Sequence, residues 1–177
     1  DNEPRFEPLL RRFREIADFA LGRDRLSAAE TAVLLDDESF LYETIRNDLD
    51  IPLVFEQRLY GLPRMGAAVD VHLLNDFLAG KLRPYKLYIF LNAFRLDAAR
   101  RVALKRELRR DGRVALWIYA PGYIEDAPDP ANMTDLTGIS FGRNDYPWPA
   151  SLHFTDFSHP ITRGLTQDLF WGTDSRL

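Results

Sequence analysis

The sequence predicts a doubly wound α/β domain with a mostly parallel sheet and three layers, and three features carry that expectation. The runs Leu87–Leu91 and Val114–Ala120 are apolar at every position, as strands are when helices cover both faces of a parallel sheet. Between them lies one helix-length polar segment, opened by Asp97 as a cap and closed near Gly112, where a left-handed residue belongs. A third apolar run, Thr31–Leu35, ends abruptly in Asp36-Asp37-Glu38-Ser39, as a strand does when it passes into a loop.

The remaining elements follow in order. Residues 5–21 place Phe6, Leu9, Leu10, Phe13, Ile16, Ala17, Ala20 and Leu21 at three- and four-residue spacing, with Arg5, Arg11, Arg12, Arg14 and Asp18 opposite. This is an amphipathic helix stopped by Gly22. It precedes the first strand, so residues 1–26 are expected to be a connector and residues 27–177 a single domain. Helices are expected from Phe40 to about residue 48 and, with Pro52 in its first turn, from there to about Leu62. Val69–Leu74 alternates apolar with polar residues and reads as a strand near an edge. Gly80 and Pro84 mark the loop into the central β-α-β unit, residues 85–123. Asp129-Pro130 opens a short helix that ends at Gly138. Ile139–Phe141 and Leu152–Phe154 read as short strands, and His159–Leu165 as a turn.

Composition bounds the function. The 177 residues are enough for one core, and 46% hydrophobic with 28% charged residues is ordinary for a globular chain. A net charge of −4 gives no reason to expect nucleic acid. Residues 95–113 hold eight Arg/Lys against three acids, and residues 114–177 hold eight acids against three Arg. That asymmetry reads as a solvated helix beside acidic loops, or as a docking face for an acidic partner. There is no cysteine, which removes disulfides, thiolate metal sites and thiol nucleophiles and fits the reducing cytoplasm. No run reaches the ~20 apolar residues of a membrane span. The chain opens at Asp1 without Met and ends at Leu177 with no closing element, so a piece of a longer chain, cut at its C-terminal end, is expected.

In a doubly wound sheet, ligands bind beyond the carboxyl ends of the strands, where strand order reverses. Three loops qualify, and the candidate ligand-binding residues in them are Asp37, Glu38, Ser39, Asn92, Phe94, Pro121, Gly122 and Tyr123. Asp36, Asp37 and Glu38 have the oxygen chemistry for a hard cation, yet carboxylates before a helix also complement its dipole with no ligand. A phosphorylatable Asp would be needed at the end of the third strand, and Asn92 stands there. Ser39 could be a nucleophile with His72, His153 or His159 as base, but no Gly-x-Ser-x-Gly elbow surrounds it and an N-cap is the commoner role. The three histidines lack metal spacing. With neither Gly-x-Gly-x-x-Gly nor a phosphate loop present, no cofactor is expected. Tyr85, Tyr88, Phe94, Trp117, Tyr119, Tyr123 and Trp148 would floor a sugar site or fill a core and an interface.

Five runs in order carry a family resemblance: Ala32–Phe40, Tyr85–Asn92, Trp117–Tyr123, Met133–Ile139 and His159–Thr162. The chain resembles, over roughly residues 5–172, the amidotransferase-like domain of family 42 glycoside hydrolases and their uncharacterised relatives, the β-galactosidase trimerisation-type domain. The resemblance implies a flavodoxin-like fold related to class I glutamine amidotransferases, following a catalytic (β/α)₈ barrel. It further implies a homo-oligomer, perhaps a trimer in the relatives' sense of the name, in a carbohydrate-metabolising protein. In amidotransferases the catalytic cysteine sits on a sharp elbow after a central strand, and the comparable loop here is Ala120-Pro121-Gly122-Tyr123. Without cysteine, amidotransferase chemistry is excluded. The glycosidase carboxylates belong to the barrel, whose ~250 residues cannot be contained here, so no catalytic residue is carried over. The expected role is a non-catalytic accessory or oligomerisation domain, with the upstream barrel as partner. The alternative is a small-molecule or carbohydrate binding module at the strand ends.

Overall fold

A computed structural model describes residues 6–24, 26–43, 51–143, 151–152, 156–165 and 171–172. The chain divides into two compact units, residues 1–141 and 142–177.

The first unit is built on a four-stranded parallel sheet in the order β2-β1-β3-β4. Its strands are β1 (Thr31–Leu35), β2 (Val69–Leu73), β3 (Leu87–Phe90) and β4 (Val114–Trp117). Register follows from side-chain alternation. Val33 sits beside Val71 and Ile89, and Ile89 beside Leu116, forming one cross-strand row; Leu34 beside Phe90 and Phe90 beside Trp117 form part of a row on the other face. The α/β fold with helical cover read from the sequence is therefore present.

One face carries most of the core. Ala32, Leu34, Tyr88 and Phe90 pack with Leu74 and Phe77 of α2 (Leu74–Leu78), Leu104 of α3 (Ala98–Leu108) and Leu136 of α4 (Pro130–Thr137). Phe77 meets Tyr88 at 5.0 Å between ring centroids, and Phe90 stacks on Trp117 at 3.9 Å. The other face is covered more thinly. Val33, Ile89 and Leu91 pack against Val54 and Leu62, from a π-helical stretch Ile51–Gly61 and the 3-10 turn Leu62–Arg64 that follows it. Where the sequence suggests an α-helix from Pro52, the wider winding puts a single residue of that stretch, Val54, into the core.

Other expectations shift in detail. The helix expected from Phe40 begins as a 3-10 turn, Ser39–Tyr42, and its remainder lies outside the described residues. The helix α2, directly after β2, has no counterpart in the sequence reading. The strand expected over Val114–Ala120 stops at Trp117, and Val114 and Leu116 are half-exposed because β4 is an edge of this sheet. Burial on both faces holds for β1 and β3 only. Both predicted caps form. Asp97 accepts the Arg100 N–H at 2.7 Å, and Asp129 accepts the Ala131 N–H at 2.8 Å. Gly138 closes α4 at φ 75, in the left-handed region where a side chain is disfavoured.

The amphipathic helix α1 (Phe6–Leu21) forms as its periodicity requires, but none of its residues is buried. In the second unit, β5 (Ser151–Leu152) pairs antiparallel with β6 (Trp171–Gly172). No strand forms over Ile139–Phe141, and the rest of the expected strand, residues 153–154, lies outside the described residues. His159 organises a turn, its Nδ1 accepting the Ile161 N–H at 3.2 Å. Among the described residues no helix is long and apolar enough to cross a membrane.

At the amino ends of the strands, Asp70 accepts from the Ser27 hydroxyl and the Tyr85 phenol, each at 2.7 Å, and pairs with Arg83 at 3.1 Å. His72 Nε2 lies 2.9 Å from the same phenol oxygen, so His72 is a satisfied, half-buried side chain. These bonds, the serine's first, hold the Asp70 carboxyl below its ordinary 3.8.

Two outcomes follow. Leu34→Ala, at a position 1% exposed, should cost about 2–5 kcal/mol in urea unfolding. A carboxyl lowered by folding stabilises in full above its unfolded value, and that contribution is lost as pH falls through the folded value. Asp70→Asn should therefore lower the melting temperature at pH 7, and the gap to the parent should narrow below about pH 4.

Candidate functional site

Strand β1 is followed on one side by β2 and on the other by β3, so strand order reverses between β1 and β3. This is where a doubly wound sheet opens its crevice. Here the two strand ends are joined. The Asp36 N–H donates to Asn92 Oδ1 at 2.8 Å, and Asn92 Nδ2 donates to the Asp36 carbonyl at 3.0 Å. The Asn92 side-chain amide thus extends the ladder between β1 and β3 as a further backbone pair would.

The Asp36 side chain continues the closure. It is fully buried and accepts from the Ser39 N–H at 3.1 Å, from the Ser39 hydroxyl and from Arg100 Nη2. Ser39 Oγ in turn accepts the Arg95 N–H at 3.0 Å. Arg100 also meets Glu38 at 3.1 Å and Asn75 Oδ1 at 3.2 Å, while Arg95 meets Glu38 at 3.3 Å. Two guanidinium groups therefore balance two carboxylates. A carboxylate with no exposed surface is tolerable only when paired and hydrogen-bonded in this way.

The third loop is joined to the second. Gly122 N–H donates to the Ala93 carbonyl and Ile124 N–H to the Phe94 carbonyl, both at 2.8 Å, and Leu96 N–H returns to Ile124 at 3.0 Å. At Gly122, φ is 69 and an added Cβ would lie 3.3 Å from Arg101 Cδ, so both conformation and space ask for glycine. Ala120, at the turn after β4, has φ 25, a backbone state that side chains rarely adopt. Beneath this loop Arg101 bonds Glu125 at 2.8 Å, Asp135 at 3.2 Å and the Leu96 carbonyl at 2.7 Å. The Arg101 bond and the Ala98 N–H hold the Glu125 carboxyl below its ordinary value; Lys105, with Arg101, lowers Asp135.

The candidate residues thus separate by role in the fold. Glu38, Ser39 and Asn92 converge with Asp36, Arg95 and Arg100. Phe94 is buried and meets Tyr119 edge-on at 6.0 Å. Pro121 and Gly122 are buried, and Tyr123 is partly exposed. Asp37 is exposed and accepts from Asn75 Nδ2 at 3.2 Å. Among the described residues no group of acids or histidines could hold a metal ion. His153 lies outside the described residues.

Sequence reasoning missed Asn75, Arg95 and Arg100. Arg100 had a signal. It stands in the first turn of α3, which holds no acid, and a cation there opposes the helix dipole. Such a placement implies a carboxylate facing it. The basic segment 95–113 is largely neutralised within the chain, through Glu38, Asp36, Glu125, Asp135, Glu107 and Asp111. The solvated-helix reading suits it better than an acidic partner does.

No family model matches the chain, and no curated protein is similar to it. Among solved structures, the β-galactosidase from Bifidobacterium adolescentis is similar over 56% of this chain, with 24% identity and a TM-score of 0.43. The match spans 44% of that β-galactosidase chain.

Removing Arg100 would leave Asp36 buried without its counter-charge. Arg100→Met should cost about 3–5 kcal/mol in urea unfolding, and Ser39→Ala about 1–3 kcal/mol through two lost hydrogen bonds. If Arg100→Met cost under about 1 kcal/mol, the network would not be holding the strand ends together.

Proposed function

We propose that this chain is a non-catalytic α/β accessory module of a glycoside hydrolase, acting in assembly beside a catalytic barrel in the same protein. The observation that carries the non-catalytic part is the inward turn of the strand-end chemistry. Asp36, Ser39 and Asn92 are fully buried and bond one another and their neighbours. Ser39 is neither exposed nor beside a histidine in any hydrogen bond, as a nucleophile requires. At the Ala120 turn, the place comparable to the amidotransferase elbow, the side chain is a methyl group. The motif resemblance supplies the glycoside hydrolase context. The assembly part is supported by α1, whose apolar stripe has no cover within the chain; Phe13 is 57% exposed and Leu10 56%.

Light scattering on the natural protein tests this reading. A mass at a multiple of the single chain, a trimer by analogy with the trimerisation-type domains, is expected at micromolar concentration, and Leu10→Asp with Phe13→Asp should lower it. A strict monomer would remove the assembly role.

A second reading, a small-molecule or carbohydrate site at the strand ends, is favoured by the convergence of the loops after β1, β3 and β4. Calorimetry against a sugar panel checks it. Absence of heat at millimolar sugar would count against carbohydrate.

A further inference from the structure

We infer that Glu43, with the phenol rings of Tyr119 and Tyr123, forms a binding site for a small organic ligand bearing an ammonium group. The inference deepens the second reading above and rests on it, since the site lies in the loops after β1 and β4.

Glu43 is only partly exposed, and both of its carboxylate oxygens are buried with no hydrogen-bond partner. Buried polar atoms are nearly always bonded, and a buried charge is paired. Glu43 is neither, which sets it apart from the other acids of this end of the sheet. Asp36 and Glu38 share the guanidinium groups of Arg100 and Arg95. Arg95 spends its remaining face on the ring of Tyr42, 5.2 Å from the centroid. Three acids therefore meet two cations, and the surplus negative charge is that of Glu43.

The surroundings say what would satisfy it. Burial, then the nearby Tyr123 and Glu43 charges, push the Tyr119 phenol above its ordinary value, so the Glu43 carboxylate faces those two phenols. Phe94 fixes Tyr119 from the far side, edge to face. A neutral sugar could donate hydroxyl hydrogens to the two oxygens but would leave their charge desolvated and unbalanced. A hard metal ion asks for six or so oxygen ligands and finds one carboxylate. An ammonium group supplies the missing charge, up to three donors for the two oxygens, and a cation for the aromatic faces.

The test titrates n-butylammonium chloride, with 1-butanol and glucose as neutral probes and sodium chloride at matched ionic strength. Binding is read from the ring signals of Tyr119 and Tyr123 by NMR. Saturable binding of butylammonium is expected, at least about tenfold weaker in Glu43→Gln and unchanged in Glu30→Gln, whose carboxylate pairs with Lys86 at the opposite end of β1. Glu43→Gln should melt no lower than the parent when no ligand is present, because it removes an uncompensated charge. Equal butylammonium binding by parent and Glu43→Gln, or none by the parent, would overturn the inference. So would a clear drop in the melting temperature of Glu43→Gln, which would mean that the chain itself pairs the carboxylate. Binding of glucose without butylammonium would overturn it too while leaving the strand-end reading standing.

Discussion

The carboxylate of Asp36, without exposed surface at the end of the central strand β1, is the constraint on which this end of the molecule depends. A charge in that position must be answered, and the answers come from three directions. The Ser39 backbone and hydroxyl turn the chain just after β1. Arg100 reaches in from the first turn of α3, against the preference of the helix dipole. Asn92, bonded to the Asp36 backbone rather than its side chain, fastens the end of β3 alongside. One buried acid therefore sets the geometry of the β1 loop, the β3 loop and the start of α3 together, and Ser39 carries the same constraint on to Arg95.

Closure of this kind changes what the fold can do. The reversal of strand order usually leaves a crevice because the two connecting segments diverge from it. Here an asparagine amide bridges the divergence, and the serine beside it is consumed as a turn-former. Polar groups that look reactive in sequence are thus spent on holding the backbone. What stays unspent lies farther out, where the β1 loop passes the turn after β4: a carboxylate with no cation, two phenols and a strained Ala120. The strain at Ala120 is confined to the connection that also carries Gly122, and the dense bonding of residues 93–96 with 122–124 holds it in place.

Much of this was legible in the sequence. Leu87–Leu91 and Thr31–Leu35 read as buried parallel strands because no polar residue interrupts them, and the alternation in Val69–Leu73 marked an edge. Asp97, Asp129 and Gly138 announced helix ends because cap chemistry is local. The failures share a cause. Val114–Leu116 is as apolar as the central strands, yet composition cannot say that no fifth strand lies beside it among the described residues. The π-helical winding of Ile51–Gly61 depends on how Val54 and Leu62 seat on the sheet, which no local propensity encodes. Asp36 and Ser39 looked like site residues because sequence shows functional groups and not whether a distant arginine already occupies them. Glu43 carried no motif at all; a missing partner is visible only in three dimensions.

The two faces of the sheet then bear on assembly. Helices α2, α3 and α4 cover one face, while on the other Val54 and Leu62 cover the centre and leave Val71 and Leu73 on β2 and Val114 and Leu116 on β4 partly in solvent. Helix α1 adds a second uncovered apolar surface of 16 residues, about 24 Å long at 1.5 Å per residue. Its helical pattern owes little to local ion pairs, which are two exposed ones of small value. An amphipathic helix gains most of its stability from burying the apolar stripe, and soluble monomers seldom leave large apolar patches open. Both surfaces therefore gain from being covered, and the same hydrophobic term that builds the core would supply the driving force for assembly.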